Sequence, residues 1–103
     1  MILEAAVLRV RAEELSAFEA AMVKAAPVIA GSPGYLRHEL RRCLETPGRY
    51  LLLVQWETLE AHTVGFRQSP AFAEWRAIIG GFFAEPPMVE HYQRVLEWPA
   101  EEA

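Results

Sequence analysis

Residues 35–56 read YLRHELRRCLETPGRYLLLVQW, and this stretch decides the fold. The first half, Tyr35 to Leu44, alternates residue by residue as a strand with two unlike faces does, with His38 and Tyr35 on opposite faces. Thr46-Pro47-Gly48-Arg49 is a turn, and Tyr50 to Trp56 is a second, more apolar strand. The stretch therefore predicts an antiparallel hairpin.

A strand and a helix are predicted before this hairpin. Ile2 to Val10 is short and rich in Ile, Leu and Val, as strands are. From Glu13 to Ile29 the apolar residues recur every three or four positions, which is typical of an amphipathic helix. Pro27 should kink or finish that helix.

A second helix and a last strand are predicted after the hairpin. Thr58 can cap a helix that Ser69-Pro70 restarts and Gly80-Gly81 ends. Beyond the Pro86-Pro87 break, Met88 to Leu96 reads as a strand. The predicted order is βαββαβ, an α+β ferredoxin-like sandwich with both helices on one face of the sheet.

One domain is expected, over residues 1–97, followed by an acidic tail over 98–103. The sheet face without helices would carry apolar side chains such as Leu51 and Leu53. Because such a surface usually has a partner, we expect a homodimer that closes through the two sheet faces.

Composition excludes several classes of function. The net charge is −4 and the ten basic residues are mostly spread out, which argues against nucleic-acid binding. Cys43 is the single cysteine, so no disulfide can form within the chain. Because the N-terminus lacks a leader pattern and no apolar stretch approaches the length of a membrane span, we expect a soluble, cytoplasmic protein without membrane partners.

The second half of the chain resembles the antibiotic biosynthesis monooxygenase (ABM) domain family. The resemblance lies in the segment from Trp56 to His62, the segment from Phe66 to Phe72, and Trp75. Gly34-Tyr35 and the strand ending at Trp56 also match that pattern. The resemblance implies a dimeric α+β barrel, with a pocket between sheet and helices in each subunit. It also implies, for some members, oxygenation of phenolic compounds without metal or flavin.

The chain departs from two known chemistries of that family. The haem-degrading branch has an asparagine in the first strand, a tryptophan at the position of Phe66 and a histidine at that of Arg76. The oxygenase of aromatic polyketides also relies on asparagine, and this chain contains none. Haem degradation is therefore disfavoured.

Three histidines are candidate bases. His62 and Phe66 lie one helical turn apart, which would place an imidazole beside an aromatic wall; alternatively, His62 is a partly exposed helix residue. His91 alternates with Val89 and can face inward, whereas His38 is more typical of an interface or core histidine. The three do not share metal-ligand spacing, so no metal site is predicted.

Arg76 and Arg67 could stabilise a phenolate or carboxylate, or pair with surface glutamates such as Glu74. Aromatic side chains would line a ligand cavity or simply fill the core; these are Phe66, Phe72, Trp75, Phe82 and Phe83. No glycine-rich phosphate loop is present, and no cofactor is predicted.

The leading hypothesis is a cofactor-independent monooxygenase, in which His62 or His91 takes a proton from a small aromatic or enolisable molecule. Arg76 would hold the resulting oxyanion, and aromatic walls would exclude water. The alternatives are a non-catalytic dimer that binds a small hydrophobic ligand or acts in stress, and a structural dimer whose aromatic residues close the pocket completely.

Overall fold

A computed structural model describes residues 1–100 of the chain. The strands are β1 (Ile2–Arg9), β2 (Tyr35–Arg42), β3 (Arg49–Trp56) and β4 (Met88–Tyr92), and the helices are α1 (Leu15–Ala30) and α2 (Pro70–Ile79). Short 3₁₀ turns flank the helices at Ala12–Glu14 and Gly80–Phe82, and a π-helical segment spans Ala61–Phe66. The predicted βαββαβ order is confirmed.

The four strands form one antiparallel sheet in the order β2-β3-β1-β4. Every second side chain is buried in β1 from Glu4 to Leu8 and in β3 from Tyr50 to Trp56. These side chains face the helices, where Phe18 and Ile29 of α1 complete a core that excludes water. The α+β ferredoxin-like fold is therefore the observed one.

A bulge in β2 overturns one prediction of side-chain direction. Tyr35 pairs with Trp56, while Arg37 pairs with the next residue, Gln55, so Leu36 is the extra residue. Because a bulge reverses the alternation behind it, Tyr35 and His38 share the helix-facing side instead of opposing one another. The Tyr35 hydroxyl lies 2.5 Å from His38 Nδ1.

Of the two outcomes expected at Pro27, it does not finish helix α1: the helix continues to Ala30, one residue beyond the predicted Ile29, and Ile29 in that last turn is buried in the core. One predicted boundary is wrong. Strand β4 ends at Tyr92 rather than at Leu96, because Tyr92 already pairs with Leu3 near the start of β1, and the partner strand goes no further. Of the acidic tail expected over 98–103, residues 101–103 lie outside the described residues.

The connection from β3 to α2 is π-helical where a regular helix was predicted. Thr58 Oγ1 accepts a hydrogen bond from the Ala61 N–H at 3.1 Å, as expected of a cap. The segment is pressed against the turn before β2: a Cβ atom built on Gly34 would lie 2.6 Å from the Ala61 Cβ. Gly34 also has a φ of 84°, which favours glycine. The absence of a side chain at Gly34 therefore allows the π-helical segment to lie close to the turn before β2. No helix within residues 1–100 is long and apolar enough to cross a membrane.

Candidate functional site

A cavity of about 670 Å³ lies between the helix-facing side of the sheet and helix α2. That volume is in the range of small-molecule sites. Its walls are mainly apolar and aromatic, with four charged side chains among them. The lining residues include Glu4, His62, Phe66, Arg67, Trp75 and Arg76. The alternative in which the aromatic residues close the pocket completely is therefore wrong.

Three titratable side chains meet beside this cavity. The register of β1 and β4 places Glu4 opposite His91 on the helix-facing side of the sheet. His62, in the π-helical segment, contacts both residues. Its Nδ1 lies 2.8 Å from His91 Nε2, and its Nε2 lies 3.3 Å from Glu4 Oε1. We call Glu4, His62 and His91 the acid–imidazole cluster.

Aromatic rings hold the cluster in place. The imidazole of His62 stacks on the indole of Trp56, with ring centroids 5.2 Å apart and planes inclined by 17°. Trp56 Nε1 donates a hydrogen bond to Glu4 Oε1 at 3.0 Å. Phe66 lies against both Trp56 and Trp75. Trp56 therefore both packs against His62 and positions the carboxylate of Glu4.

The π-helical segment brings His62 and Phe66 to the same side. The N–H of Arg67 bonds to the carbonyl of His62 at 3.0 Å, five residues back, which widens the turn relative to an α-helix. His62 and Phe66 are both buried, with ring centroids 6.3 Å apart. The alternative of a partly exposed His62 is wrong, since the side chain is only 3% exposed.

Burial controls the protonation of the cluster. Removal from water lowers the pKa of His62 to about 4, and the positive charge of Arg67 and the charge that His91 would carry when protonated add to the effect. Burial likewise lowers the pKa of His91, with Arg67 adding to the effect. Burial raises the pKa of Glu4, opposed by the Trp56 hydrogen bond and by Arg67. At neutral pH both imidazoles are therefore uncharged.

The two candidate arginines stand at the edge of the cavity. Arg67 and Arg76 are exposed, line the cavity and form no ion pair with any residue from 1 to 100. The predicted alternative, pairing with surface glutamates such as Glu74, is absent from that range. The Arg76 guanidinium carbon lies 5.7 Å from the centre of the Phe72 ring. Both cations are therefore available to a negatively charged ligand.

The remaining candidates fall in different places. Phe72 and Trp75 line the cavity, as does Phe83, whereas Phe82 is not among the lining residues and packs on Phe18 with centroids 5.9 Å apart. His91 belongs to the acid–imidazole cluster through its contact with His62, but it is not among the residues that line the cavity. His38 lies beyond Trp75, with ring centroids 6.4 Å apart, and contacts neither of the other two histidines.

Sequence reasoning missed Glu4. The signal was present, because Glu4 has the same parity along β1 as the apolar residues Ala6 and Leu8. A charged residue on the buried face of a strand is a candidate functional group. Its partners could not be predicted, because they come from β3, β4 and the π-helical segment.

Comparison with known proteins agrees with this fold. The profile of the family described as "Antibiotic biosynthesis monooxygenase" matches residues 1–78. The uncharacterised protein YczJ of Bacillus subtilis (strain 168) is 47% identical over 95 residues, covering 92% of this chain and all of YczJ.

Solved structures are similar over almost the whole chain. A candidate antibiotic biosynthesis monooxygenase from Bordetella bronchiseptica is 44% identical with a TM-score of 0.89, covering 92% of this chain and 97% of that one. SnoaB, a cofactor-independent oxygenase from Streptomyces nogalater, has a TM-score of 0.82 at 17% identity, covering 96% and 97%. The similarity to SnoaB extends to the fold alone.

Proposed function

Because the chain belongs to the antibiotic biosynthesis monooxygenase family, we propose that it is a cofactor-independent monooxygenase acting on a small aromatic or enolisable molecule. The observation that carries this proposal is the acid–imidazole cluster buried beside an aromatic cavity. Such a cluster can take a proton where water is scarce, and the arginines can balance the charge that remains.

The proposed reaction can be written for an anthrone, a cyclic ketone with an acidic CH₂ group. The cluster removes one proton from that carbon, and the electron pair stays on the substrate as an enolate. Transfer of electron density to O₂ forms a C–O bond, and the peroxide oxygen takes back the proton. Loss of water from the hydroperoxide breaks the O–O bond and the second C–H bond, leaving a quinone. One O₂ is consumed, and one water is released.

The side chains of the cavity have separate tasks in this scheme. Arg67 and Arg76 form charge-assisted hydrogen bonds to the enolate oxygen. Phe66, Phe72 and Trp75 present flat apolar surfaces to the rings of the substrate. A dry, aromatic site keeps the anion from being reprotonated by water before it meets O₂.

Oxidation of an anthrone by the purified protein and its histidine variants tests this function. We expect His62→Ala and His91→Ala each to lower the rate at least tenfold, because each disrupts the cluster. His38→Ala is the matched control, since His38 lies outside the cluster, and should keep the wild-type rate. Equal rates for the wild type and a variant lacking both His62 and His91 would exclude the cluster as the base.

The alternative function is that of a non-catalytic small-ligand-binding or stress-related dimer using the same cavity. An oxygen electrode separates the two: a binding protein takes up an anthrone or a naphthol without consuming oxygen. A ligand detected by native mass spectrometry, together with no oxygen uptake, would favour the binding protein.

The helix-free sheet face supports a homodimer as part of this proposal. Leu51 and Leu53 of β3 and Val7 of β1 lie on that face and are only partly buried in the single chain. Their contact with the same face of a second copy would remove this apolar surface from water.

A further inference from the structure

Glu4 is a buried acid that lacks a cationic side-chain partner among the described residues. It is 6% exposed, and no lysine or arginine of residues 1–100 lies within ion-pair distance of it. Burying an ionised carboxylate without a countercharge is unfavourable. The proposed function uses Glu4 only as a neighbour of His62, although Glu4 is one of the residues that line the cavity.

The two carboxylate oxygens of Glu4 have different surroundings. Oε1 accepts the hydrogen bond of Trp56 and lies 3.3 Å from His62 Nε2. Oε2 has no hydrogen-bond partner within residues 1–100, and that range contains no enclosed side-chain oxygen or nitrogen left unpaired. Oε2 is therefore not completely enclosed by protein atoms, and Glu4 is one of the residues that line the cavity.

His62 is less suited than Glu4 to take a proton from the substrate. Its Nδ1 is already engaged with His91. With a pKa of about 4, it is a weak base towards a phenol or an enolisable ketone. Burial moves the pKa of Glu4 in the opposite direction, towards that of a useful base. The groups that face Glu4 are His62 from the π-helical segment, Arg67 directly after that segment, His91 from β4 and the neutral Trp56 from β3.

We propose that Glu4 is the catalytic residue that accepts the substrate's proton, on Oε2, while His62 and His91 are positioning residues that hold the carboxylate. This inference rests on the proposed function and names the atom that performs its first step. The substrate O–H or C–H bond breaks, an O–H bond forms on Glu4, and the electron pair remains on the substrate. Glu4 later returns this proton to the peroxide oxygen, so the carboxylate is ionised again after each turnover.

Kinetics of Glu4→Gln test the assignment first. The glutamine can still accept the Trp56 hydrogen bond but cannot take a proton. With an anthrone, we expect kcat to fall at least 100-fold and KM to change less than about threefold. The acidic limb of the wild-type pH–rate profile should also disappear. Glu90→Gln is the matched control, because Glu90 lies one residue away from His91 on the opposite face of the sheet. A kcat for Glu4→Gln within threefold of wild type would overturn the assignment.

Binding of 2-naphthol tests the same proton transfer without oxygen chemistry. The pKa of Glu4 is first measured by NMR of its carboxyl carbon. Binding is then measured at a pH above that value and below the pKa of free naphthol. Wild-type protein should show the absorption band of bound naphtholate. Calorimetry in two buffers should show that no proton is released, since Glu4 retains it.

The binding result separates the two proposals. In Glu4→Gln the naphtholate band should be absent or be accompanied by release of a proton to the buffer. A wild type without the band, or a Glu4→Gln variant that behaves like wild type in both readouts, overturns the role of Glu4. A wild type that forms the band but consumes no oxygen with an anthrone keeps the role of Glu4 and contradicts the monooxygenase.

Discussion

Trp56 Nε1 donates a hydrogen bond to Glu4 Oε1 at 3.0 Å and so joins β3 to β1 on the helix-facing side of the sheet. The two residues are diagonal neighbours, since Trp56 pairs with Ile2 and Glu4 with Val54. Trp56 is fully buried and Glu4 nearly so. An indole is thus the only hydrogen-bond donor from β3 that the carboxylate has, and the aromatic stack on His62 depends on the same ring.

Replacement of Trp56 by phenylalanine should destabilise the protein. Phenylalanine keeps an aromatic ring beside His62 but removes the donor to a buried carboxylate, which costs about 2–3 kcal/mol of unfolding free energy at pH 7. Urea denaturation measures the difference. Trp75→Phe is the control, since it removes the same indole atoms from a buried residue that makes no side-chain hydrogen bond within residues 1–100. Equal losses for both variants would contradict a specific role for the Trp56 donor.

The pH dependence of stability should report His62 and Glu4 with opposite signs. The pKa of His62 falls from 6.5 to about 4 on folding, so its contribution is present above pH 6.5 and is lost as pH falls towards 4. The full contribution of His62 to the free energy of unfolding is about 3 kcal/mol. The pKa of Glu4 is raised, so its contribution is present below pH 4.5 and is lost as pH rises through the folded value.

Glutamine variants at the two positions separate these contributions. His62→Gln should lose less stability than wild type between pH 6.5 and 4, and Glu4→Gln should lose more. Urea unfolding across this range, followed by fluorescence, gives both curves. Parallel curves for all three proteins would show that neither group changes its pKa on folding.

Replacement of Arg67 should raise the pKa values of the acid–imidazole cluster. The positive charge of Arg67 contributes to lowering the pKa of Glu4, His62 and His91. In Arg67→Gln we therefore expect all three to titrate at higher pH, measured by NMR of the imidazole and carboxyl carbons. Arg76→Gln is the control, because Arg76 lines the same cavity but contributes to none of these shifts. Identical titration curves for the two variants would contradict the effect of Arg67 on the pKa values of the cluster.

The proposed homodimer predicts a sedimentation result. At micromolar concentration the wild type should have twice the 11.7 kDa mass of one chain. Leu53→Glu, which places a charge in the centre of the helix-free face, should sediment as a monomer because burying that charge is unfavourable. Val23→Glu adds the same charge at an exposed position of α1, 76% exposed, and should remain dimeric. A monomeric wild type would contradict the dimer.

Local patterns in the sequence predicted most of the fold. The alternation of residues 35–56 and the helical spacing around Phe18 each depend on near neighbours in the chain, and both are confirmed. The errors arose where contacts with residues distant in the chain determine the structure. The bulge at Leu36 depends on pairing with β3, and the end of β4 depends on where β1 begins.

The candidate site was only partly predictable for the same reason. His62 and Phe66 could be placed together by helical spacing, and the alternation of β4 pointed His91 inward. The meeting of Glu4 with His62 needs the antiparallel register of two strands and a π-helical turn. The parity of Glu4 with Ala6 and Leu8 marked it as a buried acid, but no local pattern carries the identity of its partners.

The oxidation of an anthrone under ¹⁸O₂ tests the central claim most directly. A monooxygenase places one atom of O₂ in the product and the other in water. Mass spectrometry should therefore find one labelled oxygen in each quinone formed by the purified protein, with the yield falling to the enzyme-free level in a variant lacking both His62 and His91. Unlabelled quinone, or the same yield with and without the protein, would contradict the account.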